Sequence, residues 1–247
     1  MTGLSIHVIN LERAPERWAR IEAGLRAEGL TPERFPAVDA KRGDHKALSR
    51  YDRAVFEARR GLPLLPAQEA VFSSHFLAWK MIRDRDRPGV IMEDDAGVEP
   101  GFRDVVALAG SRIERDRLLR LSALQRGRQP RDLADLGRGY RLVRHNKGPG
   151  GLQAYALSPA GAEILIRHAE RWTDTIDDYV DAYWRHDLPA LAIAPYRIAH
   201  DDRGHSYTLA APEPRLRPLP WLRRKLHRRL ERLRAYLWLA SHPPRHE

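Results

Sequence analysis

The chain has 247 residues, of which 43% are hydrophobic and 31% are charged, and it contains no cysteine. This length suits one α/β domain with an appendage. The lack of cysteine excludes disulfides and thiolate metal sites, as is usual in a reducing cytosol. No apolar run approaches the ~20 residues of a membrane span, and the N-terminal residues lack the basic head of a secretory leader. These features predict a cytoplasmic protein.

The net charge of +10 is concentrated near the C-terminal end of the sequence. Residues 213–247 contain ten Lys or Arg against three Asp or Glu, and the preceding residues are nearly balanced. We therefore divide the chain into an α/β domain, residues 1–212, and a basic amphipathic tail, residues 213–247.

The hydrophobic pattern predicts strands that alternate with helices along the domain. Strands are predicted at 5–10, 35–38, 89–92, 118–124, 140–143, 152–157 and 190–194. Helices are predicted at 15–28, 66–81, from 102, 159–171 and 176–184, with loops at 42–50 and between 124 and 140. This order favours a mainly parallel sheet flanked by helices.

One predicted strand ends abruptly on three consecutive carboxylates, Glu93, Asp94 and Asp95. Three like charges repel one another and are costly to bury unless a cation neutralises them. In open α/β sheets the ligand crevice lies beyond the carboxyl ends of the strands. A turn can aim Glu93 and Asp95 at one hard metal ion that keeps sites free for phosphate oxygens. The alternative is an ordinary acidic loop or helix cap.

Three further polar groups have both a functional and a structural interpretation. Arg13 and Arg17 are one helical turn apart and can grip a diphosphate, or they are solvated arginines on a helix. Asp177 and Asp178 open a helix, where carboxylates also serve as simple N-terminal caps. His200, which is followed by Asp-Asp, can ligate a metal or bind hydroxyls, or it belongs to a polar surface loop.

Several segments, taken together, resemble glycosyltransferase family 25, the lipopolysaccharide glycosyltransferases. The resemblance extends in order over roughly residues 5 to 200. It is carried by residues 8–17 (VINLERAPER), 35–40 (FPAVDA), 65–75 (LPAQEAVFSSH) followed by Trp79, 90–95 (VIMEDD), 151–162 and 176–179. Two departures from the family pattern follow Pro195. The family usually shows Gln and then Ser-Asp there, whereas this chain has Ala-His-Asp-Asp at 199–202 and Ser-Tyr at 206–207.

The resemblance implies a GT-A-like, Rossmann-type sheet and an inverting transfer of a sugar, often galactose, from a UDP-sugar. The resemblance does not specify the acceptor; our hypothesis is lipopolysaccharide or a related glycan, free or lipid-linked. The implied metal is Mn²⁺ or Mg²⁺, with Glu93, Asp95 and His200 as candidate ligands. Asp177 or Asp178 is the candidate catalytic base. Candidate donor-binding residues are Asn10, Arg13, Arg17, Glu69, His75 and Asp94. The rival interpretation is a catalytically silent glycan- or membrane-binding protein on the same fold.

The tail contains one apolar stripe within a strongly basic sequence. The stripe consists of Trp221, Leu222, Leu226, Leu230, Leu233, Leu237 and Ala240. Such a helix suits an anionic membrane surface, which predicts a peripheral location on the inner face of the plasma membrane through residues 220–240. The alternative is a helix that packs its stripe on the domain. Nucleic acid is not an expected partner, because aromatic residues do not interleave with the basic ones as base stacking requires.

Overall fold

The computed structural model describes residues 3–43, 45–124, 130–200 and 218–243; the side chains of 200, 218–221 and 223 are outside the description. The strands are β1 (Ser5–Asn10), β2 (Pro32–Pro36), β3 (Gly89–Glu93), β4 (Ala96–Val98), β5 (Leu118–Arg120), β6 (Arg131–Gly137), β7 (Tyr140–Arg144), β8 (Ala154–Leu157), β9 (Leu191–Ala194) and β10 (Ile198–His200). The helices are α1 (Pro15–Ala27), α2 (His45–Leu48), α3 (Arg53–Arg60), α4 (Pro66–Arg85), α5 (Phe102–Asp116), α6 (Pro159–His168), α7 (Ile176–Asp181), α8 (Tyr183–His186) and α9 (Pro218–Ser241).

An eight-stranded sheet in the order β2-β1-β3-β8-β5-β9-β7-β6 forms the centre of the domain. The pairs β1–β2, β1–β3 and β5–β9 are parallel, and the other neighbours are antiparallel. The predicted α/β class, with a sheet between helices, is confirmed. Because β1, β2 and β3 run in parallel, their carboxyl ends at Asn10, Pro36 and Glu93 meet at one edge of the sheet.

Hydrophobic side chains cover both faces of this sheet, and β3 contributes to both cores. Val90 and Met92 face a core that also contains residues of α1 and α5. Ile91 faces the opposite core, which is built with α4, α6 and α7. The alternation follows from the two-residue period of a strand, and it explains why the sequence of β3 is an uninterrupted apolar run. The core on both faces holds the end of β3, with its carboxylates, in a fixed position.

Several local predictions differ from the structure. Residues 131–137, predicted as part of a loop, form the edge strand β6. Among the described strands β6 pairs only with β7, and Leu133 is its one buried residue. Helix α3 was not predicted, because Phe56 is its one buried side chain; Asp52 caps its first turn and Gly61 ends it at φ 70°. The short helix α2 lies within the predicted loop at 42–50. The helix predicted at 176–184 is divided at Ala182 into α7 and α8.

Helix α9 packs against α3 and α8 on the surface of the domain. The leucines of its apolar stripe face away from the domain and are exposed. Of the two alternatives for the tail, the one in which the stripe packs on the domain is therefore wrong. Within the described part of the chain, no helix is both long enough and apolar enough to span a membrane.

Candidate functional site

A cavity of about 440 Å³ opens where β1 and β3 end. Seven of the eleven predicted site residues line it: Arg13, Arg17, His75, Glu93, Asp94, Asp95 and Asp177. Arg13 follows β1, Arg17 lies on α1, His75 on α4 and Asp177 on α7, and the three carboxylates stand at the end of β3 and directly after it. The parallel pairing of β1 with β3 is the reason that α1, which follows β1, lies beside the carboxylates that follow β3.

The three consecutive carboxylates separate into two groups. Asp94 is turned to the β1–α1 connection, where it accepts a 2.6 Å hydrogen bond from Asn10 Nδ2 and forms an ion pair with Arg17. Burial raises the pKa of Asp94, although Arg17 and Asn10 act in the opposite direction. Glu93 and Asp95, on either side of Asp94, line the cavity, and Arg17 Nη2 lies 3.8 Å from Asp95 Oδ2. Asn10 and Arg17 therefore engage Asp94, and Glu93 and Asp95 remain the candidate ligands of a cation.

Glu93 is positioned by a buried chain of hydrogen bonds. His75 Nε2 lies 3.1 Å from Glu93 Oε1, and His75 Nδ1 lies 3.0 Å from Tyr155 Oη. Trp79 Nε1 donates to the same Tyr155 oxygen at 2.8 Å. Burial lowers the pKa of His75 to about 4, so its ring is neutral near pH 7. An ionised carboxylate only accepts hydrogen bonds, so the His75 proton resides on Nε2 and Tyr155 donates to Nδ1.

Replacing Tyr155 with Phe is expected to lower the free energy of unfolding by about 2–4 kcal/mol, because it leaves buried polar atoms on both Trp79 and His75 without a partner. Tyr179→Phe is the matched control. Tyr179 is also buried, but among the described residues its hydroxyl makes one hydrogen bond, a donation of 2.6 Å to the carbonyl of Leu165. The control is expected to cost about 1–2 kcal/mol, and urea unfolding measures both. Equal losses of stability in the two variants would contradict the chain of hydrogen bonds through Tyr155.

Asp177 and Asp178 occupy different surroundings at the start of α7. Asp177 lines the cavity, and burial followed by the nearby charge of Glu93 raises its pKa from 3.8 to about 6, against the influence of Arg120. Asp178 points away from the cavity: its side chain is 53% exposed and forms an ion pair with Arg60. Of the two carboxylates, Asp177 is therefore the one with the location and the proton affinity of a general base.

Two residues predicted to bind the donor have structural partners instead. Glu69 is buried outside the cavity and forms an ion pair with Arg53. Asn10 donates to the Ala14 carbonyl and to Asp94, and it accepts a 2.8 Å hydrogen bond from Arg34. Neither side chain lines the cavity. The hydrogen bonds of Asn10 and the ion pair of Glu69 hold neighbouring side chains in position.

Arg13 and His200 complete the set of predicted residues. Arg13 lines the cavity and donates to Asp39 Oδ2 at 2.7 Å, and this hydrogen bond lowers the pKa of Asp39. The backbone of His200 pairs with Ala96, the residue that follows Asp95. Its side chain lies outside the described residues, as do Asp201 and Asp202.

One residue cluster beside the cavity was not predicted from the sequence. Arg120, buried at the end of β5, donates to Asp181 Oδ1 at 2.5 Å and to the carbonyl of Gly150 at 3.3 Å. Asp181 also accepts from the backbone of Gly150 at 3.0 Å, and a Cβ at Gly148 would overlap its carboxyl group. The cluster ties α7, with Asp177, to the 148–151 loop. The sequence signal that could have identified this cluster is Arg120, an arginine at the end of an apolar strand.

The side chains that line the cavity suit a hard divalent cation that is shared with a substrate. Among the described side chains, no three His, Asp or Glu residues are grouped closely enough to enclose a metal. Glu93 and Asp95 supply two carboxylates, and Mg²⁺ characteristically uses one or two carboxylates together with substrate phosphates. The residues present therefore suit a cation that binds with a phosphate-bearing ligand rather than in an all-protein cage.

An α/β sheet with charged side chains in the crevice beyond its strand ends is the architecture of many nucleotide-binding enzymes. The sequence profile of the family described as "Glycosyltransferase family 25 (LPS biosynthesis protein)" matches residues 4–180 of this chain. This match covers well over half of the chain, so the protein belongs to glycosyltransferase family 25. The resemblance inferred from the sequence segments is confirmed.

Curated relatives with the same family name occur in insects. Proteins called "Glycosyltransferase 25 family member" from Anopheles gambiae and Aedes aegypti are 33% and 32% identical over 108 and 107 residues, which is 40% and 41% of this chain. The corresponding protein from Drosophila melanogaster is 32% identical over 112 residues, or 40% of this chain. The matched part is only 17–18% of the length of these relatives, so they support the family and not a particular substrate.

Proposed function

We propose that the protein transfers a sugar, with galactose as the first candidate, from a UDP-sugar to a hydroxyl of lipopolysaccharide or a related surface glycan, with inversion at the anomeric carbon. The observation that carries the proposal is that Asp177, with its raised pKa, lines the same cavity as the carboxylates Glu93 and Asp95. A base and a cation site around one cavity are what a single displacement requires. The family description supports the acceptor class. We place the reaction in the cytoplasm, in keeping with the cysteine-free sequence.

In the proposed reaction, the acceptor oxygen attacks the anomeric carbon while the bond from that carbon to the UDP oxygen breaks. Asp177 takes the proton of the acceptor hydroxyl, and UDP leaves with the electron pair of the broken bond. A carboxylate with a pKa near 6 is well matched to this step, because it is ionised at neutral pH and still has appreciable proton affinity.

The phosphates of the donor belong at the β1–β3 edge of the cavity. Glu93 and Asp95 would hold Mn²⁺ or Mg²⁺ there, and the ion would offset the charge that develops on the leaving diphosphate. Arg17 and Arg13 line the same region and add positive charge beside the phosphates. The hydrogen bond from His75 holds the Glu93 carboxylate in place, as partners of metal ligands commonly do.

A panel of UDP-sugars with and without Mn²⁺ tests the proposal. A ligand that binds only the folded protein raises its melting temperature by mass action. We expect one or more UDP-sugars to do so only with Mn²⁺, and the same sugars to release UDP over time. If no UDP-sugar stabilises the protein, the proposed donor is wrong. If stabilisation occurs without UDP release, even with glycan acceptors, the protein is a silent binding protein and not a transferase.

A further inference from the structure

Helix α9 is anchored to the domain through its polar side. Glu231 Oε2 accepts hydrogen bonds from Trp184 Nε1 at 2.9 Å and from Arg185 Nη2 at 2.6 Å. Trp238 donates to Asp187 Oδ1 at 2.8 Å, and its ring centroid lies 4.8 Å from that of Tyr183. Glu231 and Trp238 are seven residues apart, so they lie on one face of the helix. These contacts fix the rotation of α9 about its own axis.

The opposite face of α9 presents a continuous row of leucines to the solvent. Leu222, Leu226, Leu230, Leu233 and Leu237 follow one another at spacings of three and four residues and are 47–57% exposed. A surface helix normally buries such a stripe in the core. Here the polar contacts hold the stripe outward, and an apolar row of this kind marks an interaction surface.

The charges beside the stripe select the partner. Lys225, Arg229 and Arg232 follow one flank at helical spacing, and Arg234 lies on the other side; all four are exposed. Glu231 is the one acidic residue of α9 and faces the domain. A second copy of the chain would bring an equally positive face against this one and be repelled. An anionic lipid surface supplies the opposite charge together with an apolar interior.

We propose that the outer face of α9 binds an anionic membrane surface, with the leucine stripe at the boundary between headgroups and acyl chains and the flanking cations at the lipid phosphates. The arrangement is that of an amphipathic helix lying in the plane of the interface. The proposal does not depend on the transfer reaction, because the stripe lies outside the cavity of the site. A lipid-linked acceptor would then be presented to the enzyme on the same surface.

Sedimentation with vesicles tests the proposal, using the full chain and comparing phosphatidylcholine alone with phosphatidylcholine containing phosphatidylglycerol. The parent protein is expected to bind the anionic vesicles more tightly. The variant L226Q/L230Q/L233Q is expected to lose at least about tenfold in affinity through lost apolar insertion. The variant K225Q/R229Q/R232Q is expected to lose on the order of a hundredfold, at about fivefold for each cation near the surface.

The matched control is R115Q/R138Q/R141Q, which removes the same charge from arginines that are 55–78% exposed on the domain. It is expected to bind nearly like the parent, because none of these arginines belongs to α9. Unchanged melting temperatures show that the variants remain folded. If the leucine variant does not fold, the charge variant still tests the proposal, because it retains all the leucines. Parent-like binding of both α9 variants would overturn the proposal. The proposal would also be overturned if the parent protein formed a dimer that the leucine substitutions dissociate, and if it bound no vesicles.

Discussion

Replacing Asp177 with Asn is expected to lower kcat for sugar transfer by about 10²- to 10⁴-fold, which is the usual contribution of a general base. The amide keeps the size of the side chain but cannot take the proton of the acceptor hydroxyl. The binding of the UDP-sugar, measured by thermal stabilisation, is expected to change much less. Asp178→Asn is the matched control: it changes the adjacent residue of the same helix, whose side chain points away from the cavity. If the Asp178 variant loses activity and the Asp177 variant does not, the base has been assigned to the wrong carboxylate.

The raised pKa of Asp177 also predicts that the inactive variant is no less stable than the parent. The pKa is 3.8 for an ordinary Asp and about 6 in the folded protein, so the folded state holds this proton more tightly. Between these two pH values the contribution of Asp177 to stability therefore falls as the pH rises. At pH 7 the Asn variant is expected to gain on the order of 1–2 kcal/mol, measured by urea unfolding at pH 4 and pH 7. A variant that is inactive because it unfolds would show the reverse.

The same group sets the pH dependence of the reaction. Because a base must be deprotonated to act, kcat/KM is expected to rise as the pH increases through about 6 and then to level off. The bound cation would move this midpoint to a lower pH, since a nearby positive charge favours the ionised carboxylate. A profile that falls over the same range would identify an acid, and not a base, as the essential group.

Replacing Asp95 with Asn is the change with the second largest expected effect, because it removes a carboxylate from the proposed cation site. Charge stabilisation by a metal is worth several kcal/mol, so Mn²⁺-stimulated UDP release is expected to fall at least about 100-fold. A higher Mn²⁺ concentration should restore part of the activity. The measurement is UDP release from the best UDP-sugar as a function of Mn²⁺ concentration.

Asp94→Asn is the control for this prediction, since it changes the neighbouring carboxylate, which is held by Asn10 and Arg17. It is expected to reduce stability, because Arg17 loses the closer of its two carboxylate partners, while the Mn²⁺ dependence of the remaining activity stays close to that of the parent. If the Mn²⁺ response disappears in the Asp94 variant and persists in the Asp95 variant, the two carboxylates have exchanged roles.

The sequence was most informative where a local pattern has a single physical solution. The apolar run before Glu93 is short and uninterrupted, so it was recognised as a buried strand, and its carboxyl end was placed at the ligand edge of the sheet. Pro15 and Ser158 begin helices where they were expected to do so. Edge strand β6 was missed because an edge strand that buries one side chain leaves almost no hydrophobic pattern.

Side-chain partners were the part that the sequence did not reveal. Asp94 and Asp95 are adjacent and chemically identical, and their surroundings differ because Asn10 donates to Asp94 and Arg17 lies closer to Asp94 than to Asp95. The surroundings of Asp177 and Asp178 differ in the same way. In the first turn of α7 the side chain of Asp177 faces the cavity and that of Asp178 points away from it. Such differences depend on contacts between residues that are distant in the chain. A local pattern identifies a cluster of candidates but cannot rank its members.

The most direct test of the account is the anomalous diffraction of crystals grown with Mn²⁺ and UDP. The account predicts a manganese peak at coordination distance, about 2.0–2.6 Å, from carboxylate oxygens of Glu93 and Asp95, with the diphosphate as a further ligand. Nucleotide bound elsewhere, or bound in this cavity with no manganese at these carboxylates, would contradict it.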